Sequence, residues 1–240
     1  MTLLPLIKVD AAAVPDRVLV VGDPNRVAIV AQRLQNVVEL GRNREYVTVA
    51  GSYRGRRIGV ASHGVGAPGA ALCFEELCQA GAQRLIRAGT CGGLADGVEE
   101  GDLVVVTGAV RREGFTQRVV PLGYPAIATT DVVLRLREAA LARKVKFHEG
   151  LTVTDDLFYA HPMLGNELQL WHDAGVAAIE MECSALLILA SLHGVQAGAI
   201  LTVDAKDLEL KDMTAYNPHR TNIRDAVEAM IDVSLDALVA

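Results

Sequence analysis

The chain has 240 residues, 51% of them hydrophobic, and a formal net charge of −6. That length fits one large domain, 1–240, able to bury about 70% of its unfolded surface. The acidic balance argues against nucleic acid as a partner, and the lack of any run of about 18 apolar residues argues against a membrane span.

In chain order, residues 1–8 have neither a basic start nor a long apolar core, which reads against a secretory leader. Arg17–Val21 is a short apolar run ending at a glycine and predicts a buried strand. Asp23-Pro24 then opens a helix, with Asp as N-cap and Pro in the first turn. Strands are predicted at 37–40, 46–50 and 57–61, with Tyr53-Arg54-Gly55-Arg56 as the turn between the last two. A helix opens at Pro68, runs through Leu72 and Leu77 and stops near Gly81. Residues 84–89 predict a strand leading into a glycine-rich loop. A β-branched run covers 103–110, and Thr130 or Asp131 caps a helix carrying Leu134, Leu136 and Leu141. A short strand at 177–181 precedes a helix over 184–193, and a buried strand at 197–203 ends at Asp204. A final helix after Asn217-Pro218 puts Ile223, Val227, Met230, Ile231, Leu235 and Leu238 on one face. Strands alternate with helices, and several strands are apolar throughout. That is the pattern of an α/β fold with a central sheet covered on both faces, and it places functional segments at strand ends.

Five short segments could carry chemistry. Gly22-Asp23-Pro24-Asn25-Arg26 joins a strand to a helix N-terminus, where outward N–H groups favour an anion. Arg26 adds a planar charge suited to phosphate, although a capped helix with a solvated arginine accounts for the same residues. Asn43-Arg44-Glu45-Tyr46 and His63-Gly64-Val65-Gly66 follow. In Arg87-Ala88-Gly89-Thr90-Cys91-Gly92-Gly93, Arg87 stands inside an apolar strand, where it has to be paired or face a ligand. The glycines after it allow close backbone approach to a ligand, or simply a tight turn. In Glu180-Met181-Glu182, strand alternation puts both glutamates on one side and Met181 on the other. A carboxylate such as Glu182 can accept from two vicinal sugar hydroxyls; surface acids at a strand terminus are the plainer reading. Asp204 closes a strand where an α/β enzyme places a catalytic group, or pairs with Lys206 on the surface. The six histidines have no metal spacing, and His63 reads as a packed or hydrogen-bonded loop residue. Cys73, Cys78, Cys91 and Cys183 form no Cys-x-x-Cys pair and read as reduced thiols of a cytoplasmic protein.

The combination and order of these segments resemble the nucleoside phosphorylase-I family, which holds hexameric purine nucleoside phosphorylases and uridine phosphorylases. The likeness runs from about Val18 to the C-terminal helix and is nearest to the hexameric, apicomplexan-type purine enzymes. It rests on Val20-Val21-Gly22-Asp23-Pro24, Asn43-Arg44-Glu45-Tyr46, Ser62-His63-Gly64-Val65-Gly66, Cys73-Phe74-Glu75-Glu76-Leu77-Cys78 and Ile86-Arg87-Ala88-Gly89. The resemblance implies a three-layer α/β/α sandwich around a twisted mixed sheet, phosphorylase/hydrolase-like, in a homohexamer built as a trimer of dimers. It implies reversible phosphorolysis of purine (2′-deoxy)ribonucleosides to free base and (2-deoxy)ribose 1-phosphate. Inorganic phosphate is then the co-substrate, and no metal or organic cofactor is needed. Gly22, Arg26, Arg87 and Thr90 would hold phosphate, and Arg44 would cross to the neighbouring active site. Met181 and Glu182 would hold the ribose, with Glu182 on the 2′ and 3′ hydroxyls. Phe158 would pack on the base beside Val65, Cys91, Gly92 and Glu180. Asp204 would be the acid that delivers a proton to purine N7.

The sequence departs from the family pattern in two places. The usual N-terminal histidine, which meets the ribose 5′-hydroxyl of the neighbouring subunit, falls here at Leu6. The 5′ pocket is therefore expected to be apolar and to accept 5′-deoxy or 5′-alkylthio nucleosides. After Asp204 the chain reads Ala205-Lys206-Asp207, opening a segment to Tyr216 expected to form a lid over the base. Its altered sequence leaves the choice of purine open. The stretch 160–163 lacks the glutamine–arginine pair by which uridine phosphorylases read uracil, which favours purine. The alternatives are a uridine phosphorylase, a methylthioadenosine-type phosphorylase or hydrolase, and a non-catalytic nucleoside binder. A hydrolase would have no use for Arg26, Arg44 and Arg87.

Overall fold

A computed structural model describes residues 2–161, 163, 165–206, 217 and 220–240. The chain opens β1 (Arg17–Val21), α1 (Pro24–Ala31), β2 (Gln35–Asn43), β3 (Tyr46–Tyr53) and β4 (Arg56–Ser62). The Asp23 side chain accepts from Asn25 N at 2.8 Å and Pro24 fills the first turn of α1, as its sequence predicts. Arg54 and Gly55, at φ 47° and 78°, make the predicted β3–β4 turn. Then come α2 (Ala67–Gln79), β5 (Arg84–Gly93), β6 (Leu103–Arg111), α3 (Gly114–Val119), β7 (Ala126–Ile127) and α4 (Thr130–Arg143). The last stretch holds β8 (Phe147–Thr154), α5 (Leu168–Asp173), β9 (Ala178–Glu180), α6 (Cys183–His193), β10 (Gln196–Lys206) and α7 (Thr221–Val239).

These strands join one mixed sheet covered by helices on both faces. In β1, Val18 and Val20 pack with α2 and α6, while Leu19 and Val21 pack with α1, α4 and α7, the period-two alternation of a strand buried on both sides. Part of the sheet closes on itself. β10 runs parallel to β5 and antiparallel to β6, β6 and β8 are parallel, β8 and β9 are parallel, and β9 returns antiparallel to the end of β5. Val104, Val106, Ala199, Leu201 and Val203 fill the space these five strands enclose. β1, β4, β3 and β2 extend outward from β5.

Three expectations about local structure are corrected. The glycine-rich segment 89–93 is the end of β5 rather than a loop: it keeps its ladder with β10 throughout, and β9 joins its other edge at Gly92 and Gly93. Gly93 allows this crowding, since a Cβ there would stand 3.1 Å from both Val203 and Val98. β10 does not stop at Asp204 but runs on to Lys206. The cap of α4 is Thr129, one residue earlier than expected. Most of the expected lid, 207–216, lies outside the described residues. No helix among the described residues is long and apolar enough to cross a membrane.

One arginine that the motifs did not single out organises the turn after β6. Arg111 donates to the Thr116 side chain and to the carbonyls of Thr116, Val120, Pro121, Leu122 and Tyr124. Arg111→Ala is expected to lower stability by about 2–3 kcal/mol, because several carbonyls lose a charged donor at once. Urea denaturation reads this directly; a loss within error of zero would mean that water replaces the guanidinium without cost.

Candidate active site

A cavity of about 1440 Å³ opens where β1, β4, β5, β8 and β9 end, the usual place for a ligand in such a sheet. It brings together every residue expected to hold phosphate, ribose or base or to act as the acid, except Arg44. Gly22, Arg26, Val65, Arg87, Thr90, Cys91, Gly92, Phe158, Glu180, Met181, Glu182 and Asp204 all line it. Arg44 is exposed at the tip of the β2–β3 hairpin, outside its own chain's cavity, in a left-handed conformation with φ 54°. Its neighbour Glu45 does line the cavity, and sequence reasoning gave that residue no role.

The centre of the site is a buried ion cluster. The Arg87 guanidinium donates to Glu180 Oε2 at 3.2 Å and also to Glu182 Oε2. Their side chains are 4%, 1% and 7% exposed, so none of the charges is answered by bulk water. Burial alone works to lower the Arg87 pKa, but the Glu182 charge foremost outweighs it and holds it above the usual arginine range. The Glu182 carboxyl is pushed above its usual range by burial, with the Arg87 charge opposing and the Glu180 charge adding to the rise.

The two glutamates have different duties. Glu180 Oε2 also accepts from the main-chain N–H groups of Glu182 and Cys183, and Oε1 accepts from Thr154 Oγ at 2.6 Å. Its carboxylate therefore ties the start of α6 to β8 and Arg87. Glu182 Oε1 accepts from Gly66 N at 2.6 Å, and each of its oxygens keeps a second lone pair for a hydroxyl. Met181 is a correction. β9 ends at Glu180, and Glu182 sits at φ −142°, ψ −16° as the cap of α6. Alternation thus lapses after Glu180, and Met181 faces the cavity together with both glutamates.

Asp204 reaches the cavity through a bulge. In the β5–β10 ladder Val203 pairs with Cys91 and Ala205 with Gly92, leaving Asp204 as the extra residue. A bulge of this kind re-aims one side chain. Asp204 is 4% exposed, and its carbonyl accepts from Arg220 Nη2 at 3.3 Å. Arg220 also pairs with Glu100 at 2.7 Å. Nothing in the sequence marks Arg220 as a partner, because an arginine at a helix start has no motif.

At the other end, Arg26 donates to Ala88 O at 3.3 Å beside the N-terminus of α1. His63 is fully buried, edge-on to Phe74 at 5.1 Å, and its ring nitrogens find no hydrogen-bond partner among the described residues. It is the packed histidine of the two sequence readings. Burial and then the Arg87 charge keep its pKa well below the usual histidine range, so the ring stays neutral. Among the described residues no three His, Cys, Asp or Glu side chains converge as a metal site requires.

Gly89 lies under the Arg87 guanidinium. A Cβ there would land on the Arg87 guanidinium. Gly89→Ala is expected to displace Arg87 and cut turnover by up to about 10²-fold, the scale of a 1 Å misplacement. Steady-state kinetics of parent and variant side by side tests this; unchanged constants would mean the guanidinium has room to shift.

The profile of the phosphorylase superfamily matches residues 16–240. The chain is 35% identical to the purine nucleoside phosphorylase of Plasmodium falciparum (isolate 3D7), over 98% of this chain and 95% of that protein. The structure of purine nucleoside phosphorylase from Toxoplasma gondii, in complex with immucillin-H, superposes with a TM-score of 0.94 at 34% identity, covering 99% of this chain and 96% of that one. Uridine phosphorylase from Vibrio fischeri ES114 superposes with a TM-score of 0.90 at 30% identity, covering 100% and 98%.

Proposed function

We propose that this chain, which belongs to the phosphorylase superfamily, catalyses reversible phosphorolysis of purine (2′-deoxy)ribonucleosides. The observation that carries the reading is the grouping in one cavity of Arg26 and Arg87, the paired glutamates and Asp204. It acts as a pentosyltransferase, with 1–240 serving as one catalytic domain and inorganic phosphate as co-substrate.

Phosphate sits by the α1 N-terminus on Gly22, Arg26, Arg87 and Thr90. An anion is favoured there by the helix dipole and by the guanidinium forks. Glu182 accepts from the 2′ and 3′ hydroxyls with its remaining lone pairs, and Met181 packs against the ribose. As the glycosidic bond lengthens, the sugar takes on oxocarbenium character, and phosphate, held against it, attacks C1′. The purine leaves with growing negative charge, packed by Phe158 and Val65 and flanked by Cys91 and Gly92. Asp204 gives N7 a proton. Any contact of Glu180 with the base falls to its main chain, since its carboxylate is engaged elsewhere.

Exposure of Arg44 at a hairpin tip supports its crossing to a second active site in a homohexamer, a trimer of dimers. Four buried free thiols support a reducing compartment such as the cytoplasm. Base release from inosine, guanosine, adenosine, uridine and methylthioadenosine, with and without phosphate, tests the reaction. Release of a purine only with phosphate is expected. Release without phosphate would make the protein a hydrolase and leave Arg26 and Arg87 without a role. Release from uridine alone would favour uridine phosphorylase.

Leu6 replaces the usual histidine of the 5′ pocket. Its N–H donates to Glu76, and its carbonyl accepts from Asn43 Nδ2 at 2.7 Å, which fixes the segment that would face the neighbouring site. The enzyme is expected to turn over 5′-deoxyinosine at least as well as inosine. A strong preference for inosine would show that another group binds the 5′-hydroxyl.

A further inference from the structure

The cavity is larger than a ligand pocket of about 300–1000 Å³ needs to be, and its extra wall carries polar groups that the reaction does not use. Arg112 Nη2 pairs with Glu167 Oε2 at 2.8 Å, and both residues line the cavity. Arg112 follows β6, and its N–H donates to Thr154 O at the end of β8. In the strand order β6–β8–β9–β5 its main chain thus lies two strands from Glu180, about 10 Å away, within reach of an extended arginine on the far side of a base. Glu167 caps α5, and Trp171 on the same helix shares the wall. The buried Trp171 Nε1–H finds no acceptor among the described residues.

We propose that the Arg112–Glu167 pair, with Trp171 beside it, reads the lactam edge of the base and so selects 6-oxopurine nucleosides over adenosine. This rests on the phosphorolysis reading above. A lactam presents a carbonyl beside a ring N–H. Arg112 supplies a donor to the carbonyl and Glu167 an acceptor for the N–H, side by side. Adenine reverses both groups, with an amine where the carbonyl stands and a bare nitrogen where the N–H stands. It would set its amine against the guanidinium and its lone pair against the carboxylate. A site built for one pattern rejects the other because its own polar groups are left unpaired. Uracil has the same lactam edge, but a purine is longer and bridges the distance from the ribose carboxylate to a wall two strands away.

The test compares kcat/KM for inosine, guanosine, adenosine and uridine in the parent, Arg112→Met and Glu167→Gln. The pair is half exposed, so both variants are expected to fold, and the adenosine rate checks that they do. The expected result is a loss of about tenfold or more with inosine and guanosine and no loss with adenosine. The only tryptophan of the chain is Trp171, so its fluorescence follows the same wall: free hypoxanthine should quench it in the parent and more weakly in Arg112→Met. An unchanged ratio of inosine to adenosine, a parent that prefers adenosine, or a loss confined to uridine would overturn the assignment. If no purine is released with phosphate in the parent, the phosphorolysis reading itself fails, a result separate from an unchanged ratio.

Discussion

Asp204→Asn is expected to lower kcat for inosine by about 10²–10⁴-fold, the usual contribution of a general acid, with little change in nucleoside or phosphate affinity. The residue can do this work because of where β10 breaks register. Between Val203 and Ala205 the ladder has one residue too many, and that residue is Asp204. A regular strand would give it a ladder partner; the bulge leaves it 4% exposed at the cavity wall. Arg220, the cap of α7, donates to the Asp204 carbonyl, so the bulge is tied to the start of that helix. Asparagine keeps the size and polarity but has no proton to give at the required acidity. A second substrate separates acid catalysis from a packing effect. A 7-methylated purine nucleoside carries a positive charge on the base, so its base leaves neutral and needs no proton. Asp204→Asn should cleave it at close to the parent rate. Equal losses with inosine and with the methylated substrate would show that Asp204 positions the base rather than protonates it.

The sequence carried the alternation of elements and the site segments further than their junctions. β1 and the start of α1 follow from an apolar run, a capping aspartate and a proline, signals that act within a few residues. The closure of β5, β6, β8, β9 and β10 could not be read in this way, because it depends on Gly92 and Gly93 accepting β9 on an edge that β1 occupies lower down. β8 is absent from the predicted strands: Phe147 to Gly150 give no apolar majority, and the alternation of Leu151 to Thr154 is too short by itself, so pairing with β6 extends the strand back to Phe147. The segments around Gly22, Arg87, Glu182 and Asp204 were legible because glycine, arginine and acid at strand ends are costly without a purpose. Glu45, Arg112 and Trp171 were not legible. Each enters the cavity through the path of a loop or a short helix, and neither their residue type nor their spacing announces it. Glu180 is half legible: its acidity is visible in the sequence, and its engagement by the α6 N–H groups appears only in three dimensions.

Arg87→Met is expected to cost about 3–5 kcal/mol of stability at pH 8, because it strands two carboxylates in the interior. The parent cluster is not in itself evidence of a stable core, since two acids and one base must all be desolvated. What it secures is geometry: Arg87 lies across both glutamates and over Gly89, in place for an anion. The pH dependence distinguishes stranded charge from lost packing. In the folded protein the Glu182 pKa already stands above its usual value, through burial first, with the Arg87 charge working against the rise. An acid with a raised folded pKa binds more protons folded than unfolded between the two values, so folding gains stability as pH falls through that window. Removing Arg87 takes away the opposing charge and raises the folded pKa further, which widens the window. The deficit of Arg87→Met should therefore shrink as pH is lowered from 8 to 5, measured by urea denaturation of parent and variant in parallel. Adding Glu182→Gln to Arg87→Met should recover much of the loss at pH 8, since one of the two stranded charges is gone. A deficit independent of pH, unrelieved by the second substitution, would mean that the guanidinium contributes by filling space and that Glu182 is already protonated beside it. That outcome would weaken the phosphorolysis mechanism as well, because a protonated Glu182 is a poorer acceptor for the sugar hydroxyls.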